Sequence, residues 1–159
     1  MAITQLPTDK RFTHVVQVSD IHIRLTKRHE EYKEVFKRLF EDIKRTPETT
    51  AIFVMGDIVN SKIDLSPECV DLAADFLFEL ASLRPTILVA GNHDTNLTNR
   101  SRMDSLSPVV DALNHPNLFY LKKSGLYALG NICINNYSVF DSPDKYMKGS
   151  DIPKIYRNQ

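Results

Sequence analysis

Three runs of apolar, mostly β-branched residues mark the first part of the chain: Val15-Val16-Gln17-Val18, Ala51-Ile52-Phe53-Val54-Met55 and Thr86-Ile87-Leu88-Val89-Ala90. Near-continuous apolar runs suit strands covered on both faces, as in parallel sheets. Between the first two runs, Tyr32, Val35, Phe36, Leu39, Phe40 and Ile43 recur at helical spacing within the charged stretch 27–45. Thr46-Pro47 ends that helix, because the residue before a proline is pushed out of the helical region. Between the second and third runs, Ser66-Pro67 predicts a helix start, with Ser66 as N-cap and Pro67 in the first turn. Val70, Ala73, Ala74, Phe76, Leu77 and Leu80 give this second helix a broad apolar face, and Arg84-Pro85 closes it. The pattern is βαβαβ, which predicts parallel strands joined by right-handed crossovers.

The second half is patterned differently. Residues 96–104 are polar and read as a loop, and Ser107-Pro108 opens a short helix through Leu113, closed by Asn114-His115-Pro116. Shorter strands are expected over 118–121, 126–129 and 132–140, with hairpin turns at 122–125 and at Gly130-Asn131. Residues 141–159 form a polar tail or linker containing Pro143, Gly149 and Pro153. No internal repeat or low-complexity segment interrupts the pattern, so residues 1–159 are expected to form a single α/β domain.

Composition adds limits. Hydrophobic residues are 42% and charged residues 25% of the chain, as in ordinary globular proteins. Lys plus Arg and Asp plus Glu are each 20, so the net charge is zero. That removes a whole-chain basic signature for nucleic acid and leaves room for a local positive face. No apolar run approaches the roughly 20 residues a membrane helix needs. Met1-Ala2-Ile3-Thr4-Gln5 lacks a basic-then-apolar leader pattern, so a cytoplasmic location is expected. Cys69 and Cys133 stand far apart in apolar surroundings and read as buried free thiols of a reducing compartment.

The chemistry sits where the apolar runs stop. Asp20-Ile21-His22 follows the first, Gly56-Asp57 the second, and Gly91-Asn92-His93-Asp94 the third. In open α/β sheets, ligands bind beyond the carboxyl ends of the strands. A mixed set of carboxylate, amide and imidazole donors suits Mn, Fe, Zn and similar ions. Asp57 has two oxygens with which to bridge two cations, and Gly56 allows the backbone to turn sharply. Two ions about 3.5–4 Å apart would clamp the attacking and leaving oxygens of a phosphoryl displacement. Asn92 offers a neutral oxygen to the second ion. His93 is placed to protonate a leaving oxygen, and Asp94 to accept from its other ring N–H. Each piece has an ordinary alternative, since Gly-Asp is often a turn and Asn and Asp favour helix caps. Their order, each behind its own strand, favours a metal-dependent hydrolase.

These three segments resemble the signature of calcineurin-like metallophosphoesterases. The resemblance implies a sandwich of two mixed β-sheets flanked by helices, with this chain supplying its N-terminal half to two-thirds. Within that superfamily, Val18-Ser19-Asp20-Ile21-His22-Ile23-Arg24, Gly56-Asp57-Ile58-Val59-Asn60-Ser61-Lys62 and Asn114-His115-Pro116-Asn117-Leu118 are most similar to SbcD-like, Mre-type DNA repair nucleases, including phage and large-virus versions. Asn60 stands where phosphatases of the superfamily often carry a second Asp. Carried over by position, Asp20 and His22 would bind the first metal, Asp57 would bridge, and Asn92 would bind the second. His93 would be the catalytic histidine, supported by Asp94. Two divalent ions are implied, Mn2+ being usual in the nuclease branch and Fe, Zn or Mg the alternatives. The implied activity is attack of a metal-activated water on DNA phosphodiesters in double-strand-break repair or recombination. A coiled-coil ATPase of the SbcC/Rad type is the implied partner. Arg24, Arg100 and Arg102 are candidates for DNA phosphate contacts. The rivals are a phosphoprotein phosphatase or nucleotide phosphodiesterase of the same superfamily, and a non-catalytic binding module.

One departure stands beside the match. Superfamily members carry further histidines after the Gly-Asn-His segment, usually one alone and then a Gly-His-x-His pair. Of the 5 histidines here, only His115 follows His93, and beside Pro116 it reads as a surface or capping residue. An incomplete metal shell is therefore expected, completed by a C-terminal half or a second polypeptide. An open strand edge over 132–140 would invite such pairing, or a homodimer.

Overall fold

The computed structural model describes residues 3–61, 63–99, 102–146 and 148–151. A two-residue strand β1 (Thr4–Gln5) precedes β2 (His14–Val18), helix α1 (His29–Lys44), β3 (Thr50–Met55), α2 (Pro67–Leu83), β4 (Thr86–Val89), α3 (Ser107–Leu113), β5 (Leu118–Tyr120), β6 (Gly125–Leu129) and β7 (Ile132–Asn136). The expected α/β sandwich is present. Strands β2-β3-β4-β5, in that order, form an all-parallel sheet, and β1-β6-β7 form a second, mixed one.

The runs of β3 and β4 became strands covered on both faces, while β2, at the edge of the sheet, has no fully buried residue. On β3, Ile52 and Val54 face the helices, while Ala51 faces the second sheet. The helix side packs Phe36 and Ile43 of α1 and Leu72, Phe76, Leu77 and Leu80 of α2. Phe36 and Phe76 meet with ring centroids 4.3 Å apart. The inter-sheet layer holds Ala51, Ile87, Phe119 and Leu129, closed at its edge by Phe12. Ser66 caps α2 as its sequence predicts, accepting the Cys69 N–H at 3.2 Å.

Coverage of the inner face is uneven. Val15 and Met55 pair in register with Ala51 and Val89, which belong to the inter-sheet layer. Yet Val15 is 49% and Met55 42% exposed, because the second sheet does not reach over them.

Three expectations need correction. Residues 122–125 do not form a hairpin: β5 and β6 lie in different sheets, so this segment carries the chain from one layer to the other. Its backbone finds side-chain partners instead of a ladder. Asn136 Nδ2 donates to the carbonyls of Leu121 (3.2 Å) and Lys123 (2.9 Å), and Ser138 Oγ donates to that of Lys122 (2.7 Å). The last strand stops at Asn136 rather than 140, where those same side chains turn inward. Cys133 is only half-buried, although both cysteines are free. The hairpin at Gly130-Asn131 is present, with Gly130 at φ +56° in a place where a Cβ would strike the Lys10 carbonyl. Among the described residues, no helix is long and apolar enough to cross a membrane.

The polar loop after β4 is anchored by Asp104. Its buried carboxylate accepts from Lys122 Nζ (2.9 Å), the Ser107 hydroxyl (2.6 Å), Tyr120 OH (2.9 Å) and two backbone N–H groups. Burial pushes the Asp104 carboxyl up, but these donors outweigh it and hold the group below its ordinary range.

Candidate metal centre

Beyond the ends of β2 and β3 the two loops stay zipped together. The N–H groups of Asp20, His22 and Ile23 donate to the carbonyls of Gly56, Asp57 and Ile58 at 3.2, 2.9 and 2.8 Å, and Asn60 N–H returns to the Ile23 carbonyl at 3.0 Å. To keep this register while turning side chains to one side, Asp20, His22 and Asp57 adopt left-handed backbone, at φ 56°, 50° and 53°. Asp and His enter that region more readily than most residues. Gly56 and Gly91 bring the β3 and β4 loops into contact. A Cβ on Gly56 would lie 2.8 Å from Gly91, and one on Gly91 would overlap the Asp57 carboxylate.

The result is a cluster of donors at the carboxyl end of the parallel sheet. One ligand atom each from His22, Asp57 and His93 lies within 4.8 Å of the others. His22 Nε2 stands 3.9 Å from both Asp20 Oδ1 and Asp57 Oδ2, too far for a hydrogen bond. Two donors each about 2.1 Å from one ion sit roughly 3 to 4.2 Å apart, so these spacings fit a shared cation. The His22 ring meets His93 edge-on at 4.7 Å, and among the described residues its buried Nδ1 has no hydrogen-bond partner. Its Nε2 is the ring atom that faces the two carboxylates. The residues present therefore fit a divalent ion.

His93 is oriented differently from the sequence reading. Its Nδ1 lies 2.9 Å from the Asn60 carbonyl, which can only accept. Nδ1 therefore carries a proton donated to that carbonyl, and Nε2 is left free of this contact. The backbone N–H of His93 donates to Asp57 Oδ1 at 2.9 Å.

Asp94, expected to support the imidazole, does not reach it. Its fully buried carboxylate takes the N–H groups of Ile58 (3.0 Å) and Val59 (3.1 Å) on Oδ1 and of Gly91 (2.9 Å) on Oδ2. It staples the loop bearing Asp57 to the loop bearing Asn92 and His93. Burial raises its carboxyl above the ordinary range, against the lowering by the Gly91 and Val59 N–H groups.

The other expected residues sort as follows. Asp20 is 69% exposed in its side chain, at the rim of the donor cluster. Asn92 is exposed and lines a cleft of about 220 Å³ with Asn60, Ser61, Ile63 and His93. Arg24 and Arg102 are exposed on the first and third loops, and Arg100 lies outside the described residues. His115 is remote from the donors. It precedes β5 at the amino ends of the strands, accepts the Asn117 N–H on Nδ1 (3.2 Å) and meets Phe78 edge-on. It is a half-buried turn residue beside Pro116, one position past the C-cap Asn114 of α3. The Asn60 carbonyl is the one participant the sequence did not single out, since a main-chain oxygen carries no residue signature.

The calcineurin-like phosphoesterase family matches residues 13–157. An uncharacterized protein of Acanthamoeba polyphaga mimivirus is 42% identical over 149 residues, which cover 92% of this chain and 11% of that protein. The chain thus spans a small part of the curated relative it matches. Because the family match takes in all three donor loops and every helix, the chain belongs to the calcineurin-like phosphoesterase family.

Proposed function

We propose that this domain contributes the core of a metal-dependent phosphodiesterase that cleaves DNA, in the manner of the SbcD- and Mre-type repair nucleases. The observation that carries the reading is the convergence of His22, Asp57 and His93 on one point at the sheet's carboxyl end. The family consists of phosphoester hydrolases that use divalent metals. Bound ions would supply Lewis-acid activation of water and neutralise charge at phosphorus. Asp20, His22 and Asp57 would hold the first ion, and Asp57 with Asn92 the second, with Mn2+ as the proposed metal. His93, its Nδ1 held by the Asn60 carbonyl, would present Nε2 to the phosphate. In protonated form Nε2 would donate to a leaving oxygen. Asn60, lying three residues after Asp57, is a neutral amide where phosphatases of the superfamily often carry a second Asp, which is a departure from the phosphatase pattern.

The second ion has only Asp57 and Asn92 among the described residues. Further imidazoles, we infer, come from another segment or polypeptide, and a coiled-coil ATPase is the proposed partner. The same shortage supports a second reading, a metal-binding module without catalysis. Titration calorimetry with Mn2+, with Asp57→Ala as control, tests the site. Two ions bound at micromolar affinity and lost in the variant support the first reading. Metal-dependent release from duplex DNA ends, but not from a phosphopeptide, then supports DNA as substrate. Binding of metal with no hydrolysis of DNA, phosphopeptide or a small chromogenic diester supports the second reading.

A further inference from the structure

The first donor loop is held from outside by side chains of the two long helices. Four consecutive carbonyls, those of His22, Ile23, Arg24 and Leu25, each accept from one of them. Tyr32 OH donates to His22 at 2.6 Å, Cys69 Sγ to Ile23 at 3.7 Å, His29 Nε2 to Arg24 at 2.6 Å and Ser66 Oγ to Leu25 at 2.6 Å. His29 and Tyr32 lie in the first turn of α1, and Ser66 and Cys69 at the start of α2. Of these bonds, the one from Tyr32 is made to the peptide of a proposed metal ligand. His22 is in left-handed backbone at φ 50°, a conformation that persists only where the surroundings enforce it. The His22 carbonyl and the Ile23 N–H belong to the same peptide. Tyr32 takes the carbonyl, and the N–H donates to the Ile58 carbonyl at 2.8 Å. That peptide is therefore gripped at both ends, from α1 and from the loop after β3. The grip is anchored, because Phe36 and Ile43 fix α1 to the core and the Tyr32 ring packs on Phe36 with centroids 5.9 Å apart. Fixing the peptide keeps His22 from relaxing toward ordinary backbone, in which its imidazole would turn away from Asp20 and Asp57.

We propose that Tyr32 is a positioning residue for the metal centre: its hydroxyl holds the His22 main chain so that Nε2 is in place before an ion arrives. This rests on the metal-site reading above and deepens it. Tyr32 acts through the His22 carbonyl and not through the ring, so its effect is on ligand placement.

Tyr32→Phe in the full chain keeps the ring and its packing and removes only the donor. Ser66→Ala is the comparison, since it loses the neighbouring bond to Leu25 and the α2 cap without touching the His22 peptide. Mn2+ calorimetry and the metal-free melting temperature are read for both and for wild type. One hydrogen bond is worth about fivefold in an equilibrium constant, so Tyr32→Phe should weaken the first Mn2+ at least about fivefold. Ser66→Ala should lower Tm by about 2–4 °C and leave Mn2+ affinity within about twofold. Hydrogen exchange in the metal-free protein reads the grip itself: the Ile23 amide should exchange faster in Tyr32→Phe, measured against the Val54 amide of the core. Mn2+ affinity of Tyr32→Phe within about twofold of wild type overturns the positioning role and leaves the metal site standing. Equal losses of affinity in the two variants also overturn it, because general loosening of the loop would then account for both. If wild type binds no Mn2+, the metal-site reading falls and this role falls with it.

Discussion

Replacing Asp94 with Asn tests whether two loops, rather than one side chain, make the metal site. The change keeps the shape and removes the charge. The carboxylate now accepts three N–H groups with two oxygens. An amide has one oxygen, so its best orientation serves Ile58 and Val59 and turns NH2 toward the Gly91 N–H, donor against donor. One hydrogen bond to a charged group, about 1.5–3 kcal/mol, is lost, and a buried donor is left unsatisfied at about 1–3 kcal/mol. Against this, Asn avoids burying a charge, the cost that raises the Asp94 carboxyl. The balance expected is about 2 kcal/mol of destabilisation, which for a domain of this size lowers Tm by roughly 4–8 °C. Urea unfolding followed by circular dichroism measures it. Because Gly91 lies against Asp57, the loops should also part, and Mn2+ affinity should fall by tenfold or more in calorimetry. A loss under about 0.5 kcal/mol with unchanged Mn2+ binding would refute the reasoning, placing the loop contact in the glycines alone.

Gly91→Ala should abolish Mn2+ binding, since its Cβ would occupy the place of the Asp57 carboxylate; calorimetry reads this, and near-normal affinity would show that the loops can yield. Asp104→Asn should destabilise at neutral pH, because the wild-type carboxyl is held low by its donors. A depressed carboxyl stabilises above its unfolded value of about 3.9 and loses that contribution as pH falls through the folded value. The gap in urea midpoint between wild type and Asp104→Asn should therefore be widest above about pH 5 and narrow in acid. Phe76→Ala removes a ring that is 1% exposed and packed against Phe36 and Phe40. It should cost about 3–5 kcal/mol in urea unfolding.

Much of this was legible from residue order. The strands β2, β3 and β4 and the helices α1 and α2 follow from apolar runs and helical spacing, because both faces of β3 and β4 and one face of each helix are buried. The donor loops are legible for the same reason, since strand ends locate them. What escaped the sequence depends on main-chain atoms or on side chains far apart in the chain. β1 is two residues long and is defined only by its pairing with β6. The segment 122–125 has the composition of a hairpin, and only the distant Asn136 and Ser138 show that it crosses between sheets. The partners of Asp94 and His93 are backbone groups, which residue type does not encode. His115 sits in the turn that Pro116 marks, at the end of the sheet away from the donors.

Asp20, His22 and Asp57, three of the proposed ligands, are all non-glycine residues in left-handed backbone. Such positions typically cost of order 1–3 kcal/mol each. Selection for thermal stability alone would favour glycine at positions 20 and 22, where that conformation carries no steric cost. Asp20→Gly and His22→Gly are thus changes that would make a sturdier protein with a weaker metal site. Where this domain drifts free of the demand for metal, those two positions are where its sequence should relax first.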